Sequence, residues 1–175
     1  MLTGIVYLIV IAVIVVLVIA ARQPDCFQVQ RKTLINSPPD RIFTLLNDLK
    51  QWQHWSPWEK KDLAMKKTFG AVTAGKDAVY EWDGDRNVGR GRMEITESIP
   101  PERLTIKLEF IKPFVAHNIV EFMLVPKGDY TEVVWDIHGP MPFMSKVMCL
   151  FISMDRMIGK DFEAGLASLK TLTEK

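Results

Sequence analysis

The sequence predicts an α+β fold, in which a curved antiparallel sheet wraps around a long C-terminal helix and one transmembrane helix precedes both. Three observations predict it. An uncharged apolar run opens the chain, alternating segments typical of half-buried strands fill its middle, and a long segment with helical spacing closes it. We expect an anchor over residues 1–22 and one domain over residues 23–175.

Composition fits this division. The chain has 175 residues, of which 48% are hydrophobic and 25% charged, enough apolar residues for one core and too many for a disordered chain. Its formal net charge is +1, from 22 basic and 21 acidic residues. A nucleic-acid-binding domain usually carries a basic excess, so we expect no nucleic-acid partner.

The apolar run covers residues 2–21, and Arg22 is the first charged side chain. Twenty helical residues span roughly 30 Å, the thickness of a bilayer hydrocarbon core, so we expect a single-pass membrane protein. A cleaved signal peptide is the alternative, with Val18-Ile19-Ala20 as a tolerable cleavage site. However, no Lys or Arg precedes the run, and the run is longer than a signal peptide needs.

The membrane orientation depends on few charges. Arg22, Arg31 and Lys32 follow the apolar run, and only the terminal amine precedes it. The excess of positive charge on the cytoplasmic side of membrane proteins therefore predicts a cytoplasmic domain.

The first part of the domain reads as a strand followed by short helices. Residues 27–35 alternate apolar and polar side chains, and the turn at residues 36–40 offers Ser37 as a helix N-cap. Apolar residues at helical spacing then predict a helix from residue 42 to about residue 50.

Three tryptophans follow at intervals of three residues: Trp52, Trp55 and Trp58. They could form a ligand entrance or a membrane-facing patch, because tryptophan suits interfaces. A cap that seals one end of the core explains the same spacing, and we favour it. The lysines at positions 60, 61, 66 and 67 are typical of a solvated face.

From residue 68 to residue 138 the pattern is strand after strand, with a hairpin turn at residues 83–87. The alternating segments are residues 78–82, 88–99, 104–110, 115–125 and 131–137. Residues 143–172 then carry one apolar stripe, which predicts a single long helix. An antiparallel sheet buries one face against such helices.

Several local motifs match one family in order and spacing. They are Asn36–Phe43, Asn47-Asp48 running into Trp52, Trp55–Trp58, Val88–Gly91, Pro100–Leu104 and Thr131–Trp135. Residues 27–172 thereby resemble the START-like (SRPBCC) superfamily, within its polyketide cyclase/dehydrase-type branch of small bacterial proteins. The resemblance implies a helix-grip fold with a cavity for lipids, sterols, polyketides or aromatics. It implies no shared catalytic residue and no cofactor.

Strand parity and the helix stripe together predict which side chains line the cavity. The set is Tyr80, Trp82, Met93, Ile95, Leu104, Ile106, Leu108, Phe110, Asn118, Val120, Phe122, Leu124, Val133, Trp135, Ile137, Phe151, Met154 and Ile158. Tyr80 and Asn118 are its polar members, which either contact a ligand or bond within the protein.

Catalysis would require an acid or base inside the cavity. His54 lies among the tryptophans, while His117 and His138 have outward parity. None of the three has a carboxylate at a fixed sequence spacing that would predict a catalytic pair. Asp161 borders the helix stripe, where a solvated or paired carboxylate is commoner than a catalytic one. We therefore predict no catalytic residue.

No metal or cofactor is predicted either. Asp83, Asp85, Asn87 and Glu94 match part of a calcium-loop pattern, but Val88 stands where that loop needs glycine, and a hairpin explains them better. Gly89-Arg90-Gly91 lacks the remaining glycine of a dinucleotide loop. Cys26 and Cys149 have no metal-binding spacing.

Three functional hypotheses follow. The first is a membrane-anchored carrier or sensor for a hydrophobic or amphipathic small molecule or lipid. The second is a cyclase- or dehydratase-type enzyme with an apolar substrate. The third is a non-catalytic module that binds an unspecified protein through the same fold, because fold alone does not define function.

Overall fold

The computed structural model describes the backbone of residues 2–175 and side-chain exposure from residue 4 onward. Its helices are α1 (Leu2–Ala21), α2 (Pro39–Asn47), α3 (Trp52–Trp55), α4 (Phe143–Cys149) and α5 (Met154–Thr173). Short 3-10 turns at Leu49–Gln51 and Pro57–Lys60 flank α3. The strands are β1 (Cys26–Ile35), β2 (Lys66–Phe69), β3 (Val79–Asp83), β4 (Arg90–Ile99), β5 (Arg103–Lys112), β6 (Ala116–Lys127) and β7 (Tyr130–Pro140).

All seven strands form one antiparallel sheet in the order β1-β7-β6-β5-β4-β3-β2. Hairpins connect β3 through β7 in sequence, while β1 returns to the β7 edge. The α+β prediction of an antiparallel sheet with a C-terminal helix is confirmed.

The apolar face of the sheet lies against α5 and the short helices. In β3, Tyr80 and Trp82 are buried while Glu81 and Asp83 are exposed, as the alternating sequence predicts. On α5, Phe162, Leu166 and Leu169 supply the buried stripe. A methyl group at Gly165 of α5 would lie 2.7 Å from the Trp135 ring, so glycine allows helix and sheet to approach closely here.

The single long C-terminal helix predicted over residues 143–172 is wrong. Helix α4 ends at Cys149, and α5 begins at Met154 after Ser153, whose hydroxyl accepts a hydrogen bond from the Arg156 amide at 3.2 Å. A serine N-cap favours a new helix start, and the apolar stripe alone does not register the interruption.

The Ser37 cap is also wrong. Helix α2 begins at Pro39 with Pro38 in the cap position, and no side-chain cap bond forms there among the described residues. Proline suits this position because the first amides of a helix have no partner within the helix. The Ser37 side chain is buried instead.

Helix α1 is apolar all round and largely exposed, apart from the last turns, where Val16 is half-buried and Ala20 is buried. By length and composition, residues Gly4–Ala21 could cross a membrane, with a mean hydropathy of 3.3. Helix α4 packs beside α1.

Candidate functional site

The candidate site is the inner face of the sheet, together with the helices that cover it. The structure turns inward all the strand side chains predicted to line a cavity, because alternation along a strand places every second residue on one face. Those with under 10% exposure are Tyr80, Trp82, Met93, Ile95, Leu104, Ile106, Asn118, Val120, Phe122, Leu124, Val133, Trp135 and Ile137.

The centre of this face is filled by aromatic rings, a group that we call the aromatic plug: Trp52, Trp55, Trp58, Phe122, Trp135 and Phe162. The Trp135 and Phe162 rings stack with centroids 4.0 Å apart, so sheet and α5 touch directly. Trp55 is fully buried and meets Phe122 edge to face at 6.1 Å. Such pairs add attraction beyond the area that they bury.

The sequence favours a cap that seals one end of the core, whereas the tryptophans of the plug pack against Phe122 and Trp135 at the centre of the inner face. Two of them are anchored by hydrogen bonds. The indole Nε1 of Trp52 donates to the Leu46 carbonyl at 2.9 Å, and that of Trp55 donates to the Leu45 carbonyl at 3.3 Å. The rings of the plug occupy the centre of the space between the sheet and α5, where the sequence predicts a cavity. The Trp135 indole nitrogen is buried with no hydrogen-bond partner among the described residues.

Coverage of the inner face decreases towards the end of the sheet where α1 joins β1. We call this end the mouth and define it by Leu108, Phe110, Asn118, Met154 and Ile158. The four apolar side chains are half-buried, and Asn118 is 6% exposed. A methyl group at Gly139 would lie 2.2 Å from the Asn118 amide oxygen, so the glycine leaves room for that amide.

One predicted lining residue lies elsewhere. Phe151 is 75% exposed in the segment between α4 and α5, so its predicted place in the cavity is wrong. The reason is the helix interruption at Ser153, since a continuous helix would have put residues 151, 154 and 158 on one stripe.

A buried polar cluster adjoins the plug. Glu59, 8% exposed, accepts a hydrogen bond of 2.7 Å from the Tyr80 hydroxyl and another from the Lys67 ammonium. Burial, and then the bond to Glu59, raise the pKa of Tyr80 well above its ordinary value. Tyr80 also stacks on Phe69, with ring centroids 5.0 Å apart.

A pocket of about 200 Å³ opens beside this cluster, and its lining residues are Leu49, Lys50, Gln53, Glu59, Lys67 and Phe69. The sequence analysis predicts none of the six as a site residue and expects Lys67 on a solvated face. Strand parity could have found Lys67, because Lys67 and Phe69 pair with Trp82 and Tyr80 and so share their inner face. Glu59 lies in a 3-10 turn, where no periodicity marks the buried side.

A second, more open pocket of about 440 Å³ lies at the opposite end of the sheet from the mouth, lined by Asn36, Ser37, Pro38, Pro39, Gly128, Asp129 and Thr131. The Ser37 hydroxyl has no hydrogen-bond partner among the described residues. Thr131 donates to the Ser37 carbonyl at 2.7 Å. None of these residues continues the apolar inner face.

The histidines lie outside the inner face, although two of them have carboxylate partners that sequence spacing missed. His117 Nδ1 lies 3.2 Å from Glu109 on the neighbouring strand, and His138 Nδ1 lies 3.0 Å from Asp136 on its own strand. His54 is exposed. Asp161, which borders the apolar stripe of α5, pairs with Lys61 at 2.6 Å.

Three potential metal ligands, Glu121, Asp136 and His138, meet on the outer face within 4.8 Å of one another. Asp136 is 2% exposed, and its carboxylate already accepts a bond of 2.7 Å from Gln28 and contacts His138. These protein partners account for the buried carboxylate, because they supply the hydrogen bonds that burial demands.

Known structures share this fold at low sequence identity. A protein from Chromobacterium violaceum matches with a TM-score of 0.60 and 14% identity, over 87% of this chain and 99% of that one. Ginseng major latex-like protein 151 from Panax ginseng matches with a TM-score of 0.62 and 13% identity, over 87% of this chain and 100% of that one. The Aha1 dimer from Colwellia psychrerythraea matches with a TM-score of 0.58 and 15% identity, over 85% of this chain and 96% of that one.

The helix-grip fold implied by the sequence motifs is thereby confirmed. The search of curated proteins finds no match. A family model described as polyketide cyclase / dehydrase and lipid transport matches residues 27–174, which include β2 to β7, all of β1 but Cys26, the plug and α5. That description fits a domain for hydrophobic ligands, in line with the apolar inner face. The chain therefore belongs to the polyketide cyclase / dehydrase and lipid transport family.

Proposed function

We propose that the chain is a membrane-anchored carrier or sensor for a hydrophobic or amphipathic small molecule. Residues 1–22 are the anchor and residues 23–175 the ligand-binding domain. The observation that carries the proposal is the uneven cover of the inner face, which the plug closes at its centre and which stays partly open at the mouth. Family membership supports the same class of ligand.

An apolar ligand fits the mouth for a simple energetic reason. Leu108, Phe110 and Ile158 are half-buried, so a ligand inserted between α5 and strands β5 and β6 would remove more of their surface from water. Each buried methylene group contributes roughly 0.8 kcal/mol. The Asn118 amide offers a polar contact at the same level of the sheet, as small-molecule sites commonly do.

The anchor gives the proposed ligand a source. Apolar molecules partition into bilayers, and a tethered domain takes them up or senses them at the membrane. The positive charges of Arg22, Arg31 and Lys32 support a cytoplasmic position of the domain.

The test is native mass spectrometry of the full chain in lipid nanodiscs, followed by solvent extraction of bound molecules. We expect a co-purifying apolar molecule, with strongly reduced amounts in Leu108→Gln and Ile158→Gln. Leu63→Gln is the matched control, because Leu63 is 89% exposed and lies outside the inner face. Equal retention by all three folded variants would contradict a site at the mouth.

A cyclase- or dehydratase-type enzyme is the second candidate, and the Glu59 cluster favours it. A buried carboxylate bonded to a tyrosine hydroxyl and an ammonium, beside a pocket, is an arrangement that can hold or move a proton. Incubation of a lipid extract with the wild-type chain should then yield products lighter by one water, and Glu59→Gln should yield none. Identical extracts before and after incubation would eliminate this candidate.

A further inference from the structure

Outside α1, the exposed large apolar side chains concentrate in two segments, residues 111–115 and 143–152, which we call the apolar collar. Its strongly exposed members are Ile111, Phe114, Val115, Phe143, Met144, Met148, Phe151 and Ile152. Exposures reach 70% for Phe114 and Met144 and 75% for Phe151. A contiguous exposed apolar surface marks an interaction site, whereas single exposed apolar residues need no explanation.

Both segments lie at the end of the sheet where α1 joins the domain. Strand β1 begins there at Cys26, whose partner in the sheet is Pro140 at the end of β7. The neighbouring strand β6 begins at the same end, because Ile119 pairs with His138, so the turn at residues 111–115 lies beside the start of α4. The collar and the exit of α1 thus share one end of the molecule, which is also the end of the mouth.

Polar contacts hold α4 against the segment that follows α1. The buried Lys146 ammonium of α4 lies 2.5 Å from the Asp25 carboxylate, and the Met141 amide donates to the Asp25 carbonyl at 2.7 Å. Helix α4 also packs beside α1, where Ala20 is buried and Val16, one turn earlier, is half-buried. The collar therefore has a defined position relative to the final turns of α1.

Charges around the collar are arranged as at a membrane surface. Residues 141–154 contain one charged side chain, Lys146, and it is turned inward. Exposed basic residues stand nearby at Arg22, Lys112 and Arg156, and the exposed carboxylates in the same region, Asp25 and Asp155, are paired with Lys146 and Arg31. Apolar side chains bordered by Lys and Arg are typical of segments that lie in the interfacial layer of a bilayer containing anionic lipids.

We infer that the apolar collar is inserted into the interfacial layer of the bilayer that α1 spans, which orients the domain with its mouth facing the lipids. This inference rests on the proposed anchoring of α1. A helix of 20 residues extends roughly 30 Å, so an α1 that spans the hydrocarbon core places Val16 and Ala20 near its boundary. Helix α4, packed beside them, then lies at the depth of the headgroups and upper acyl chains.

The connection between anchor and domain favours lipid over a protein as the partner. Only Arg22–Asp25 separate α1 from β1, and Asp25 is bonded to both Met141 and Lys146. Because this connection is short and Asp25 is held in place, the collar stays within the length of a few residues from the bilayer. A protein partner on this surface would have to occupy the layer in which the lipid headgroups lie.

The test uses the full chain in vesicles of phosphatidylcholine and phosphatidylglycerol, with Cys26 and Cys149 replaced by serine. An environment-sensitive nitrobenzoxadiazole label is attached at Met144→Cys or Phe114→Cys, and Leu63→Cys and Tyr130→Cys are the matched exposed controls. We expect emission at shorter wavelength and loss of most emission with dibrominated acyl chains for the two collar labels. The controls should change in neither measurement.

Alkaline carbonate extraction of the same vesicles separates this inference from the anchoring itself. A chain that stays in the membrane while its collar labels remain unquenched overturns the inference and leaves the anchor intact. Blue-shifted collar labels that brominated lipid does not quench also overturn it, because they indicate a protein cover or a second copy. A chain released by carbonate refutes the anchor, and the inference with it.

Discussion

At the scale of single residues, the pair of Tyr80 and Glu59 shows what a buried polar contact demands. Tyr80 is 3% exposed and Glu59 is 8% exposed, and each satisfies the other's hydrogen bond. Strand alternation predicts the inward position of Tyr80. It does not predict Glu59, because a carboxylate in an irregular turn gives no sign of which way it points.

Replacement of Tyr80 by phenylalanine should therefore lower stability and change its pH dependence. At neutral pH the loss should be about 1–3 kcal/mol, because a bond to a buried charged group disappears. The raised pKa of Tyr80 means that the folded state holds the proton more tightly than the unfolded state. The contribution of Tyr80 to the free energy of unfolding is therefore complete below the ordinary tyrosine pKa of about 10 and is lost as the pH rises beyond that value.

Urea unfolding of the full chain in micelles, at neutral and at strongly alkaline pH, measures how much stability Tyr80 contributes at each pH. Wild type should lose more stability at alkaline pH than Tyr80→Phe. Tyr130→Phe, at an exposed position, should behave as wild type. Parallel alkaline losses in wild type and Tyr80→Phe would show that Tyr80 does not couple to folding.

Gly165→Ala should also destabilise the fold. The new methyl group would lie 2.7 Å from Trp135 and 3.1 Å from Pro57, and the Trp135 ring is held between Trp55 and Phe162. Overpacking of this kind costs about 1–3 kcal/mol, and it opposes a gain of about 1 kcal/mol in helix propensity.

A double-mutant cycle with Trp135→Phe isolates the clash by thermal or chemical unfolding. The Gly165→Ala penalty should shrink in the Trp135→Phe background, because the ring atoms that meet the methyl group are gone. Ala164→Gly, on the exposed side of α5, reports the propensity difference alone. Strictly additive effects would mean that the ring and the methyl group do not meet.

At the scale of elements, strands were easier to predict than helix limits. Alternation marks the inward face of β3 through β7, because one face of each strand is buried. The apolar stripe of residues 143–172 continues across the break at Ser153, although α5 buries its apolar side chains against the sheet and α4 leaves Phe143, Met144 and Met148 exposed. A stripe shows which side is apolar, whereas a cap shows where a helix begins.

The docking of α4 should depend on Asp25. Lys146 lowers the pKa of Asp25 by donating a hydrogen bond and by its charge, so the ion pair is formed at neutral pH. A carboxyl group whose pKa is lowered on folding stabilises the folded state at pH values above its ordinary pKa. This stabilisation is lost as the pH falls below that pKa. Asp25→Asn removes the charge and leaves the Lys146 ammonium, which is 7% exposed, without its counter-ion.

Hydrogen exchange of the full chain, followed by mass spectrometry, should show faster exchange in residues 143–149 of Asp25→Asn than in wild type. Asp129→Asn, in an exposed turn at the other end of the sheet, should leave that segment unchanged. Unaltered protection of α4 in Asp25→Asn would mean that apolar contacts with α1 suffice to hold it.

At the scale of the whole molecule, the sequence predicts β1 and β3 through β7 in their order, and most of the antiparallel sheet follows from them. It predicts neither the short edge strand β2 nor the break between α4 and α5. The filling of the space between sheet and α5 does not follow. Parity shows that Phe122 and Trp135 face inward, but their ring-to-ring contacts with Trp55 and Phe162 depend on how far the layers stand apart. That separation is set by packing volume and by Gly165, which no periodicity reveals.

Membrane orientation is a property of the whole chain and has a direct test. In intact cells that produce a Leu63→Cys variant lacking Cys26 and Cys149, a membrane-impermeant maleimide should label position 63 only after the cells are opened. Leu63 is 89% exposed, so access is limited by the membrane and not by burial. Labelling of intact cells would place the domain on the outer side.

The crowding of indoles in the aromatic plug has an optical consequence. Trp52 and Trp55 lie 4.9 Å apart between ring centroids, and Trp55 and Trp135 lie 5.4 Å apart at an angle of 71°. Chromophores this close and this inclined couple their electronic transitions, so the circular dichroism spectrum should contain a paired positive and negative band. Trp55→Phe should weaken the couplet to the part that Trp58 and Trp135 contribute at 5.8 Å, and Trp82→Phe should leave most of it. The strength of the couplet therefore reports whether the plug, and with it α5, stays packed on the sheet.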